Sequence, residues 1–148
     1  MEQATFGAGC FWGAEAFFRE IDGVIDTRVG HSSGTDGSTT AARIEVVQID
    51  FDPQVLSYDA LIRFFWDSHD PISLDRQGEE TGEGVRSAIF VHSSAQANEA
   101  GRLRDVFNAT SLKPATTQII PFKGLEIADE KQQRYLEKNS AATCSVNI

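Results

Sequence analysis

The pentapeptide Gly9-Cys10-Phe11-Trp12-Gly13 contains the residue best suited to nucleophilic chemistry. It follows a short apolar run and precedes residues at helical spacing, so Cys10 stands at a strand-to-helix turn. A thiol there meets unpaired backbone N–H groups and the positive end of the helix dipole, and both favour the thiolate. Phe11 and Trp12 offer an apolar wall for a small group, while Gly9 and Gly13 let backbone or substrate come close. Free cysteine is also among the most buried residue types, so a core thiol is the competing reading. Both remain open on the residues alone.

Glu45 belongs to a strand whose alternation puts Arg43, Glu45, Val47, Ile49 and Phe51 on one face and Ile44, Val46, Gln48 and Asp50 on the other. If the first face is the core side, desolvation raises the Glu45 pKa and suits it to general acid work. The alternative is an exposed carboxylate paired with Arg43, worth about 0–1 kcal/mol. Cys144 lies in a polar C-terminal stretch, 140–148, where a core thiol has little to pack against. On a mobile tail it could attack oxidised sulfur, or it could be an incidental exposed cysteine. His31, His69 and His92 lack zinc-ligand spacing with the cysteines, so no metal site is expected. No phosphate loop or Gly-x-Ser-x-Gly element accompanies them, and no histidine lies in a recognisable pairing context for a Cys10 hydrolase.

These residues must be positioned by alternating strands and helices. Residues 3–9 read as a strand, and Phe11, Ala14, Phe18 and Ile21 as one helix face ending at Asp22-Gly23. A strand at 24–30 leads into a Gly/Ser/Thr-rich loop at 30–40, followed by a strand at 43–51. Ser57 can cap a helix bearing Leu61, Ile62, Phe65 and Trp66, which stops before Asp70-Pro71. Residues 70–84 read as a long loop with five acidic side chains. A strand at 86–92, a helix capped by Ser94 with Ala97, Ala100, Leu103 and Phe107 inward, a strand at 116–120 and a short helix at 129–138 follow. The alternation predicts an α+β sandwich, one mixed sheet packed by helices.

The chain has 148 residues, 41% of them hydrophobic, which suits a single domain over 1–148 with a mobile tail at 139–148. Its net charge of −9 disfavours phosphate backbones, so no nucleic-acid partner is expected. No run approaches the ~18 apolar residues of a membrane span, and the first residues lack the features of a signal peptide. No membrane partner and a cytoplasmic location are therefore the expectation.

Nearly end to end, the chain resembles the A-type peptide methionine sulfoxide reductases. The resemblance rests on Thr5-Phe6-Gly7-Ala8-Gly9-Cys10-Phe11-Trp12-Gly13, Asp52-Pro53, Ser57-Tyr58, Phe65-Trp66, His69-Asp70-Pro71, Arg76-Gln77-Gly78, Arg86-Ser87-Ala88-Ile89 and Tyr135-Leu136-Glu137-Lys138-Asn139. It implies a two-layer α/β sandwich of ferredoxin-like type with an irregular C-terminal tail, no cofactor, and a monomer. It further implies that Cys10 attacks the sulfur of an S-epimer methionine sulfoxide, free or peptidyl, or of a related methyl sulfoxide. Phe11 and Trp12 would wall the methyl group and Glu45 would protonate the oxygen. Cys144 would then resolve the Cys10 sulfenic acid as a disulfide for thioredoxin to reduce.

The sequence also departs from the family pattern. Ala42-Arg43-Ile44-Glu45 stands for Gly-His-Ala-Glu, the loop before it is shortened and lacks a tyrosine, and Val85 replaces a second tyrosine. Glu80 stands where the family has a substrate-side aspartate, and Lys131-Gln132 replace Tyr-His. The resemblance thus implies a reductase whose cleft has fewer oxygen-side donors. The second expectation is a redox-responsive binding or sensor protein with weak reductase activity.

Overall fold

The computed structural model describes residues 1–34 and 42–139. Strand β1 (Glu2–Ala8) is central because both its faces are covered, with everything from Ala4 to Ala8 buried. It pairs antiparallel with β3 (Ala42–Phe51) on one side, Phe6 facing Val47, and with β6 (Ser87–Val91) on the other, Phe6 facing Ile89. Beyond β3 lies β2 (Val24–Gly34), also antiparallel, so the four strands run in the order β6-β1-β3-β2. With α1 (Phe11–Arg19) after β1 and α2 (Tyr58–Asp67) after β3, this is the β-α-β-β-α-β ferredoxin-like arrangement that the family resemblance implies.

Two edge strands extend it. Helix α3 (Ser94–Thr110) returns the chain to place β7 (Gln118–Pro121) parallel to β6, and β8 (Glu126–Ile127) pairs with β2 at Gly30 and His31. β8 has no counterpart in the sequence reading. The close approach needs Gly30, since a Cβ there would lie 2.4 Å from the Glu126 carbonyl oxygen.

The three long helices bury their apolar faces on one side of the sheet. Phe6 sits between them, its ring centroid 5.5 Å from Phe18 of α1 and 4.9 Å from Phe65 of α2. On the other side Ile44, Val46, Ala88, Phe90 and Ile120 form a smaller cluster under Phe122 and Leu125. β3 therefore carries apolar residues on both faces, and the face with Val47, Ile49 and Phe51 is the one beneath the helices.

Several boundaries differ from expectation. β2 runs to Gly34 instead of ending at 30, because β3 pairs with its polar Ser32, Ser33 and Gly34 as well. The cap of α3 is Ser93, whose Oγ accepts from the Gln96 N–H at 3.1 Å, and not Ser94; Ser57 caps α2 as expected, accepting from the Ala60 N–H at 3.0 Å. The segment 70–84 is not a plain loop. It contains the small hairpin β4 (Arg76–Gln77) and β5 (Glu80–Thr81) and a 3-10 turn at Glu83–Val85, organised by buried Gln77, whose amide oxygen accepts from the Asp70 N–H at 2.7 Å.

The helix expected at 129–138 shrinks to α4 (Tyr135–Lys138). The buried Gln133 amide bonds the N–H and carbonyl of Val29 and the carbonyl of Ala128, all within 2.9 Å, and Arg134 takes a left-handed φ of 51°. The Arg134 N–H donates to Glu15 Oε1 at 2.6 Å, and Glu15 is itself buried on α1 and accepts from the Thr27 hydroxyl at 2.6 Å. Anchoring the C-terminal segment to α1 and β2 costs it a regular helix.

Candidate active site

β1 delivers Cys10 to the start of α1 through Gly9, whose φ of 85° makes the turn that an L side chain would strain. Cys10 is the N-cap residue of α1; its carbonyl accepts from the Ala14 N–H at 3.1 Å, and its side chain makes no cap hydrogen bond. It is disulfide-bonded in this structure. Cys144, the second cysteine of the chain, lies outside the described residues.

Glu45 reaches the same place from β3. Its Oε1 accepts the Phe11 N–H at 3.2 Å, the first amide of α1 left without an intrahelical partner. Burial pushes the Glu45 pKa up; the Phe11 hydrogen bond opposes this, Glu80 adds to it, and Arg43 weakly lowers it. The pairing of Glu45 with Arg43 is not what forms. Arg43 instead holds Glu126 of β8 at 2.8 Å, and its backbone N–H donates to Glu83 at 3.1 Å. With Oε1 taken by an N–H, the proton of the neutral acid belongs on Oε2. That oxygen faces Gly84, where a Cβ would stand 3.6 Å away.

Together these residues line a cleft of about 340 Å³ formed by Cys10, Phe11, Trp12, His31, Glu45, Glu80 and Val85. Phe11 is nearly buried, and its ring meets the His31 ring edge-on at 5.6 Å. Trp12 is held from outside the cleft: its indole N–H donates to Gln132 Oε1 at 2.7 Å, and Tyr135 stacks on it at 3.9 Å with 13° between the planes. The structure thus brings together Cys10, Glu45, Phe11, Trp12 and Glu80. The sequence reading did not include His31, Gln132 or Tyr135 in the site. His31 reads as loop in the sequence, although extending the β2–β3 pairing by one residue sets it opposite Glu45. A larger cavity of about 620 Å³ lies at the other end of β1, lined by Glu2, Tyr58, His92 and Glu99 among others, and no cysteine is among its described lining residues.

A cysteine at a helix start, engaged in a disulfide and facing a carboxyl that burial holds toward its neutral form, defines a thiol-dependent oxidoreductase. The family model described as peptide methionine sulfoxide reductase matches residues 2–148, and the chain belongs to that family. It is 42% identical to the peptide methionine sulfoxide reductase MsrA of Methanothermobacter thermautotrophicus, over 97% of this chain and 90% of that protein. It is 40% identical to the MsrA of Geobacter sulfurreducens, over 97% and 95%. Among solved structures, reduced Mxr1 of Saccharomyces cerevisiae superposes with a TM-score of 0.88 at 27% identity, covering 99% of this chain and 91% of that one. Mxr1 in complex with Trx2 gives 0.69 at 25% identity, covering 99% and 88%. Among the described residues no helix is long and apolar enough to cross a membrane.

Proposed function

We propose that this chain reduces the S-epimer of methionine sulfoxide, free or peptidyl, or of a related methyl sulfoxide, with Cys10 as nucleophile. The observation that carries the reading is the meeting of Cys10 and Glu45 at the first turn of α1, beside the apolar wall of Phe11 and Trp12. The Cys10 thiolate attacks the sulfoxide sulfur while Glu45 gives a proton to the oxygen. The S–O bond of the substrate breaks and the oxygen passes to Cys10, leaving a thioether and a cysteine sulfenic acid. Two electrons leave the Cys10 sulfur and two reach the substrate sulfur. The Cys144 thiol then displaces water to form the Cys10–Cys144 disulfide, a pairing supported by there being two cysteines in the chain. A thioredoxin returns both to thiols; support comes from the Trx2 complex of the yeast relative. Phe11 and Trp12 take the methyl group, and Glu80, which lines the same cleft, takes part in substrate binding.

The test is reduction of racemic methyl sulfoxides with dithiothreitol, followed by chiral analysis of what remains. The S-sulfoxide is expected to disappear and the R-sulfoxide to persist, with Cys10→Ser leaving less than about a tenth of the activity, or 1.4 kcal/mol of barrier. Disulfide formation with peroxide but no sulfoxide turnover would overturn the reading in favour of a sensor.

A further inference from the structure

Of the three histidines, two are absorbed into the framework. The His69 ring bonds the Phe65 carbonyl at 2.8 Å and Ser87 Oγ at 2.6 Å, and the His92 ring bonds Thr5 Oγ1 at 2.8 Å. The His31 ring makes no hydrogen bond among the described residues. Its place is the cleft, where it sits opposite Glu45 in the β2–β3 register and is held edge-on by the Phe11 ring.

Among the described residues the cleft otherwise has few donors for an oxygen. No described lining residue carries a hydroxyl. The Trp12 indole N–H is committed to Gln132. Glu45 can give one hydrogen, on the oxygen that the Phe11 N–H leaves open, and Glu80, when ionised, only accepts. A sulfoxide oxygen gains negative charge as the thiolate approaches its sulfur, and it has room for more than one donor. Preorganised donors at such an oxygen are among the largest contributions to catalysis.

We propose that the His31 imidazole donates an N–H to the sulfoxide oxygen alongside the proton from Glu45, making it the second oxygen-recognition group of the site. The assignment rests on the reductase reading above. His31 keeps its proton throughout: the hydrogen that leaves with the oxygen comes from Glu45. A neutral imidazole suffices, since one of its two nitrogens always carries hydrogen. Burial and the Arg43 guanidinium hold the His31 pKa below its ordinary value, with Glu126 opposing, so the ring is neutral at pH 7.

The competing role for a histidine near a cysteine is to activate the thiol, and the experiment separates the two. In a Cys144→Ser background Cys10 is the chain's one thiol. Two rates are measured on the reduced protein: single-turnover reduction of methionine sulfoxide, and alkylation of Cys10 by iodoacetamide, which needs the thiolate but has no oxygen to receive a hydrogen. His31→Phe keeps a ring against Phe11 and removes the donor. It is expected to slow sulfoxide reduction by about 10²-fold and alkylation by less than about twofold. His31→Gln restores an N–H and is expected to recover at least about tenfold over the phenylalanine variant. Equal slowing of both reactions, or a phenylalanine variant within about threefold of its parent in sulfoxide reduction, overturns the proposal. If the parent protein itself reduces no sulfoxide, the reductase reading fails first and takes this one with it.

Discussion

Glu45 is acidic chemistry made by location. Its hydrogen bond from Phe11 favours the carboxylate, yet burial beneath α1 outweighs that bond and raises the pKa. Under the proposed mechanism the working form is the protonated one, so activity is expected to fall as pH rises through the raised Glu45 pKa. Glu45→Gln keeps the shape and the acceptor for Phe11 but removes the transferable proton. The expected loss in single-turnover rate is about 10²- to 10⁴-fold, toward the upper end because few other donors line the cleft among the described residues, and the alkaline limb should vanish with it. A loss below about tenfold with the limb unchanged would assign the proton to water. The alternation that places Glu45 with Val47, Ile49 and Phe51 was legible in the sequence, but not that this face is the buried one. Nor was the partner choice of Arg43. Glu126 arrives through β8, a two-residue strand with no local signature, across 83 residues of chain.

At the scale of elements, what held in the sequence was whatever is encoded locally: the strand-turn-helix around Cys10, the serine cap of α2, and the alternation along β3. What escaped was set by distant partners. Ser32-Ser33-Gly34 reads as loop, yet pairing with β3 makes it strand and carries His31 into the cleft. Likewise Lys131 to Arg134 has helical composition, but the Gln133 amide is drawn to β2 and the Arg134 N–H to Glu15. The resulting turns bring Gln132 and Tyr135 onto Trp12, so α4 and its approach serve as an external clamp on one wall of the cleft. The clamp positions Trp12 and does not touch the reacting atoms. Gln132→Ala removes one hydrogen bond, on the order of 1 kcal/mol, and is expected to raise KM about fivefold with kcat within about twofold. A matching fall in kcat with KM unchanged would mean that the indole orientation matters only in the transition state.

In the proposed cycle Cys10, at the end of β1, works with Cys144, 134 residues further along the chain, so the two ends of the sequence act together. Cys144→Ser is expected to release about one methionine per chain and then stall with thioredoxin, since the sulfenic acid forms without its resolving partner; steady turnover at the parent rate would show that Cys144 is not required. The scaffold's own pH limit comes from a different residue. His69 at the end of α2 links that helix to β6 through Ser87, which in turn bonds Thr117 at the entry to β7 at 2.7 Å. Enclosure pushes the His69 pKa down to about 4, against the opposing pull of the Phe65 carbonyl and Asp70. Above an unfolded-state pKa near 6.5, both folded and unfolded chains carry a neutral ring and full stability is present. As pH falls from there toward 4, the unfolded chain binds a proton that the folded one refuses, and stability is lost by an amount on the order of 3 kcal/mol. His31 and His92, also held below their ordinary values, act in the same direction, while the raised Glu45 acts in the opposite one. Urea midpoints of wild type and His69→Gln at pH 7.5, 6 and 5 isolate the His69 share. The variant should start less stable at pH 7.5 and lose clearly less on acidification. Parallel losses in the two proteins would move the acid sensitivity of the fold away from His69.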